Sequence, residues 1–154
     1  MSVLNAEAEH NQLQNHSVEI SIIPFKFKYL PQLIELHKSQ NYVDISCINM
    51  KTLPKIGYIC LLNDQPIAAG FLRRLEPCFG QIDTLVSNGY FGAQIRHQGI
   101  KLVVDTLIEE AKRLKLKGIV SLTADTGILK RAESLGFRII DQKVITLELP
   151  ARQG

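Results

Sequence analysis

Cysteine is scarce in this 154-residue chain. Cys47, Cys60 and Cys78 make an odd count with no C-x-x-C spacing, which argues against both a disulfide framework and a thiolate zinc site. They read instead as small buried hydrophobes in a reducing compartment. No apolar run approaches the ~20 residues needed to cross a bilayer, so no membrane partner is expected. The N-terminus lacks a basic stretch followed by an apolar core, so no signal peptide is expected and the cytoplasm is the default location. No cluster of His, Cys, Asp or Glu has metal-ligand spacing, and the expected metal is none. No Ser/His/Asp or Cys/His arrangement stands out. Charge of one sign is also lacking. Eighteen Lys and Arg face fifteen Asp and Glu, and the net +3 is too small and too scattered to indicate a nucleic-acid partner. There is no internal repeat and no low-complexity linker.

What is present is enough apolar residue for one core, 45% of the chain. Residues 1–16 are polar and without apolar period, and they read as an N-terminal tail; residues 17–154 read as a single domain. Val18–Ile23 alternates and is rich in β-branched residues, so it predicts a strand ended by Pro24. Tyr29, Leu30, Leu33, Ile34 and His37 follow a helical period, with Pro31 in the first turn. Ile56–Leu62 and Ile67–Leu75 predict a hairpin about the turn Asn63-Asp64-Gln65-Pro66. A further strand, Gln81–Ser87, leads into a loop, Asn88–Gln98. A long amphipathic helix follows, with apolar residues at Ile100, Val103, Val104, Leu107, Ile108, Ala111 and Leu114. Lys112, Arg113, Lys115 and Lys117 complement the dipole at its C-terminus, with Gly118 as cap, and are read so in preference to a nucleic-acid patch. Ile119–Thr123 predicts a buried strand. A helix begun at Asp125 or Thr126 runs to Leu135 and is closed by Gly136, and Arg138–Asp141 and Val144–Leu149 predict two last strands.

The stretch Arg96-His97-Gln98-Gly99-Ile100-Lys101 carries the main chemical signal. It stands between a strand and a long helix, and no Ser, Thr, Asp or Asn immediately precedes the helix to cap it. The first N–H groups are then open to a ligand, and the helix dipole with Arg96, His97 and Lys101 favours an anion such as a phosphate or pyrophosphate. The element order is β-α-β-β-β-α-β-α-β-β. It predicts an α+β sandwich with a mixed sheet of six or seven strands and a right-handed crossover over residues 81–123.

In this order, over residues 18–149, the chain resembles the GCN5-related N-acetyltransferase (GNAT) superfamily. The family's Gln/Arg-x-x-Gly-x-Gly/Ala motif is matched by Arg96-His97-Gln98-Gly99-Ile100-Lys101. The helix ending Leu135-Gly136-Phe137 is matched by Ile128–Phe137. The resemblance implies acetyl-CoA as cosubstrate, with pyrophosphate on the amides of His97–Lys101 and with Asp125 at the start of the second helix. It implies pantetheine along Leu85 and Val86, where that strand splays from Ile119–Thr123. It also implies acetyl transfer to a primary amine, of a small molecule or a protein, by direct attack in a ternary complex. Three positions depart from the family pattern: Lys101 stands where it has Gly or Ala, Asp125 where it often has Asn, and Ala132 where it often has Tyr. These departures are what an altered module would carry, one that binds CoA as a sensor or acts through protein contacts. A homodimer is a further expectation of the resemblance.

Transfer to an amine needs an oriented thioester, an uncharged nucleophile and a donor for the developing oxyanion; a base can assist. Asp83 is the candidate base, with Glu76 behind it. Tyr42, Tyr58 and Tyr90 could offer a hydroxyl, although packing explains them as well. Residues 41–54 and 88–95 are expected to line the acceptor pocket.

Overall fold

Among the described residues, five strands and three longer helices alternate in the computed structural model, which describes residues 19–40, 48–75, 77–123, 126–141, 143 and 145–150. The elements are β1 (Ile20–Pro24), α1 (Leu30–Ser39), β2 (Ile56–Leu62), β3 (Gln65–Leu75), β4 (Phe79–Ser87), α2 (Ala93–Arg113), β5 (Gly118–Val120) and α3 (Thr126–Ser134). The sheet order is β1-β2-β3-β4-β5, antiparallel through β4 and parallel between β4 and β5. The expected α+β architecture with a mixed sheet is therefore present, with five strands where six or seven were expected. Contacts divide the chain after Ser121 into two compact units.

In the first unit, α1 buries Leu33 and Leu36 against Ile59 of β2, Ala69 and Phe71 of β3 and Val86 of β4. Full burial of side chains this size is worth about 1.5–3 kcal/mol each. The α2 stripe of Ile100, Val103, Val104, Leu107 and Ala111 is buried as its period predicts. Glycines let this helix lie close to the sheet: a Cβ on Gly70 of β3 would stand 2.9 Å from Val103, and one on Gly99 would stand 3.0 Å from Ile67.

Turn chemistry moves several boundaries. The β2–β3 turn is only Asn63-Asp64, both with positive φ (47° and 66°), the two-residue type that suits the twist of a hairpin. Pro66, expected in that turn, lies in β3 opposite Leu61, next to an irregular register where a missing N–H is tolerated. Pro24 likewise belongs to β1, an edge strand. Helix α2 ends at Arg113 rather than at Gly118. Lys115 takes the left-handed conformation (φ 58°), and the N–H groups of Lys115 and Leu116 bond back to Lys112 and Ala111, closing the helix without a glycine. Gly118 instead begins β5, where a Cβ would press on the Phe79 ring.

Cys60 is fully buried in β2, and burial pushes its thiol up to about 11. Iodoacetamide at neutral pH is expected to alkylate the partly exposed Cys78 and to spare Cys60 until the protein unfolds. Mass-spectrometric labelling of Cys60 in the native protein would contradict that burial.

In the second unit α3 ends as expected. Gly136 (φ 92°) donates to Glu133, and Phe137 donates to Ala132, the paired bonds of a left-handed helix cap. The two last strands, Arg138–Asp141 and Val144–Leu149, are not found: the described residues of these stretches pair in no ladder. Ile145, Leu147 and Leu149 are 94%, 84% and 80% exposed. Alternation alone does not make a strand. It needs a neighbouring strand to bond and a face to bury, and the described residues of this unit supply neither.

Candidate cofactor site

Strand β4 bonds to β5 only from Phe79 to Gln81, opposite Gly118 to Val120. Past Gln81 the β5-facing edge of β4 has no ladder partner among the described residues of this unit. In the same stretch β4 carries a bulge against β3. Ala69 faces Val86 and Phe71 faces Asp83, so β4 spends one residue more than β3 between those pairs. Thr84, inside the bulge, has φ 53°, an outlying conformation for a β-branched residue. Leu85 follows over Gly70, where a Cβ would stand 2.8 Å from its side chain. Val86 returns to the ladder and is buried.

The link from β4 to α2 is short and pinned. Asn88 donates its backbone N–H to Ile67 and its side-chain amide to Pro66, and its side-chain oxygen accepts from Tyr90 N. Gly89 N donates to the Ser39 hydroxyl at 2.8 Å, and a Cβ on Gly89 would overlap the Ser39 carbonyl, so this approach of the loop to α1 requires glycine. Gln40 adds a bond to the Ser87 carbonyl at 2.8 Å.

Helix α2 then starts at Ala93, six residues before Gly99. Gly92 is the N-cap, with extended backbone (φ −62°, ψ 158°) and no side chain capping the amides; the first turn holds no acidic residue. Arg96 N makes the first return bond, to Gly92 O at 3.1 Å. The free amides are those of Ala93, Gln94 and Ile95, at the positive end of a 21-residue helix. A Cβ on Gly92 would meet nothing within 4 Å, so the space before the amides is open. Free donors, open space and no competing carboxylate suit an anionic ligand.

The expected loop Asn88–Gln98 is thereby corrected. The amides of His97, Gln98, Gly99, Ile100 and Lys101 lie inside the helix, where i→i−4 bonding consumes them. Their side chains have other surroundings. Arg96 Nε donates to the Ser87 hydroxyl at 3.1 Å, and Lys101 pairs with Asp105 at 2.6 Å on the surface. Gly99 and Ile100 face the sheet; His97 is half-buried and Gln98 exposed. Sequence reasoning missed Gly92, Ala93, Gln94 and Ile95. The available signal was Ile95: with Gly99 and Val103 it extends the stripe back at steps of four.

Asp83 sits on β4 just before the bulge. Its Oδ2 accepts from Arg73 Nε at 2.8 Å and its Oδ1 from the Thr84 hydroxyl at 3.0 Å, while Arg73 Nη2 donates to the Thr52 carbonyl at 3.0 Å. Tyr58 donates to Glu110 at 3.1 Å, about 25 Å of helix from Ala93 at ~1.5 Å per residue. Burial first and the Glu110 contact second hold its hydroxyl above the usual tyrosine range, while the Arg113 hydrogen bond chiefly holds Glu110 low. Tyr90 is 85% exposed at the loop tip. Asp125, Glu76 and Tyr42 lie outside the described residues, and Ala132 lies in α3 of the second unit. Among the described residues no group of three potential metal ligands exists, and no helix is long and apolar enough to cross a membrane.

No family model matches the chain, and no curated protein matches it in sequence. Solved structures do. An aminoglycoside N-acetyltransferase in complex with CoA is 10% identical, with a TM-score of 0.68 over 87% of this chain and 97% of that one. A GNAT family acetyltransferase from Streptococcus pneumoniae is 12% identical, with a TM-score of 0.65 over 88% and 100%. A predicted acetyltransferase from Clostridium acetobutylicum, with acetyl-CoA, is 19% identical, with a TM-score of 0.62 over 84% and 96%. Identities this low speak for architecture alone, and on that ground the chain has the fold of the GNAT acetyltransferases.

Proposed function

We propose that the protein is an acetyl-CoA-dependent N-acetyltransferase acting on a primary amine within a ternary complex. The observation that carries this reading is the pairing of two open features across a pinned five-residue loop: the unladdered edge of β4 and the uncapped start of α2. A pantetheine arm carries amides that can bond along a free strand edge at Leu85 and Val86. A pyrophosphate needs several aligned donors, which Ala93, Gln94 and Ile95 supply. Such a ligand would lie along β4 with its phosphates on α2.

The bound thioester is the acyl donor. The uncharged amine attacks its carbonyl carbon, the C–S bond breaks, and the amine proton leaves as the CoA thiol or to water. Holding amine and thioester at attacking distance supplies much of such a rate, so no base is required to start from. This chain's own residues fix the position of the strand edge and the helix start; the Asn88 and Gly89 bonds support that task.

Calorimetric titration with acetyl-CoA and, separately, with dephospho-CoA tests the reading. Micromolar binding of acetyl-CoA is expected, followed by thiol release when a suitable amine is added. Weaker binding of dephospho-CoA assigns a basic contact to the 3′-phosphate. Binding without thiol release from any amine supports the CoA-sensing alternative, and binding of neither compound overturns the reading.

A further inference from the structure

We infer that Asp83 is a positioning residue: with Arg73 it latches Thr84 in the left-handed bulge that shapes the open edge of β4. The link to acetyl-CoA rests on the function proposed above; the latch itself does not.

Thr84 holds φ 53°, where its branched Cβ crowds the backbone, and such a conformation persists only when its surroundings hold it. The bulge leaves it outside the β3 ladder, so backbone pairing does not hold it. What does is a chain of three side-chain bonds. The Thr84 hydroxyl donates to Asp83 Oδ1, Arg73 Nε donates to Asp83 Oδ2, and Arg73 Nη2 donates to the Thr52 carbonyl. The chain ties β4 to β3 and to the segment before β2. Asp83 lies two residues beyond Gln81, the last β4 residue paired with β5, where the two strands part. Both Asp83 oxygens are occupied by donors within the protein, which is how a carboxylate serves as a brace. The bulge then sets the direction of the Leu85 and Val86 backbone that a pantetheine arm would follow.

Three variants separate brace from base: Asp83→Ala, Asp83→Asn, and Asp83→Ala combined with Thr84→Gly. The asparagine can accept from Arg73 through Oδ1 and donate to the Thr84 hydroxyl through Nδ2, so the latch survives without its charge. Glycine enters the left-handed region with no brace. Acetyl-CoA affinity, kcat and melting temperature are read for each. Asp83→Ala is expected to weaken acetyl-CoA on the order of tenfold and to lower the melting temperature. Asp83→Asn stays within about threefold in both affinity and kcat, whereas loss of a general base costs roughly 100-fold or more in kcat. The double variant regains affinity and melting temperature. A large kcat loss in Asp83→Asn at unchanged affinity overturns the inference, as does a double variant no better than Asp83→Ala. If the unaltered protein binds no acetyl-CoA, the functional reading fails, and the melting temperatures alone still decide the latch.

Discussion

Ala93→Pro leaves the fold intact and weakens acetyl-CoA by about tenfold to a hundredfold. Ala93 is the first helical residue of α2, and the preceding Gly92 already has the extended backbone (ψ 158°) that a following proline requires. Proline at this position fits the helix and has no hydrogen bond to lose within it. Its fixed φ also trims the freedom of the unfolded chain, so the melting temperature holds or rises slightly. What disappears is one free N–H aimed at the proposed phosphates. A hydrogen bond to a charged acceptor contributes about 1.5–3 kcal/mol, which sets the range of the loss. Ala93→Val adds bulk but keeps the donor, so a loss confined to the proline variant assigns the effect to the N–H. Unchanged affinity in a folded Ala93→Pro protein moves the phosphates elsewhere.

Gly57→Ala is expected to cost about 3 kcal/mol, the upper end for overpacking. A Cβ on Gly57 would overlap the Phe71 ring. The ring cannot step aside. It is 1% exposed, it packs with Leu33, Leu36 and Ile59, and it makes an edge-type contact with the Phe25 ring, centroids 5.0 Å apart at 67°. A domain of this size holds about 5–15 kcal/mol in all. The melting temperature should therefore fall by roughly 10 °C. Phe71→Leu in the same chain removes the ring edge and should recover part of the loss. A fall in stability below about 1 kcal/mol would show that the sheet yields at this point, against the rigidity expected of such a core.

The elements whose period persists over many residues were legible. The α2 stripe and the β2–β3 hairpin follow from spacing and composition, as do Leu33 and His37 of α1, whereas buried Leu36 lay outside the expected stripe and Leu30 and Ile34 within it are only part-buried. Boundaries set by single-residue conformation were not. The start of α2 turns on Gly92 acting as N-cap, a role glycine shares with many other uses. Its end turns on Lys115 taking a left-handed conformation that nothing in a lysine announces. The candidate site suffered from this directly: a six-residue error in the helix start moved the free amides from Ala93–Ile95 to His97–Lys101. The bulge at Thr84 left no trace in the pattern, because it arises from pairing between strands and a side-chain latch. Asp83 was singled out for its carboxylate, and its brace with Arg73 required the β3–β4 register to be known.

The strand order 1-2-3-4-5 bears on how the molecule comes together. The β2–β3 and β3–β4 pairings join strands separated only by short links, so each loses little chain entropy, whereas β1 and β2 are separated by residues 25–55 with α1 among them. The hairpin β2–β3 can zip first from its two-residue turn, and β4 adds directly to it. The pairing of β4 with β5 is different. Like β1–β2 it must close over a long span, in which a 21-residue helix forms and packs on the sheet, and it gains only three residue pairs against five for β1–β2. Regions with few pairs open at the lowest free energy. The last contact made in folding, and the first released, thus lies next to the edge where a ligand would bind, and an occupant there would supply the missing strand's bonds.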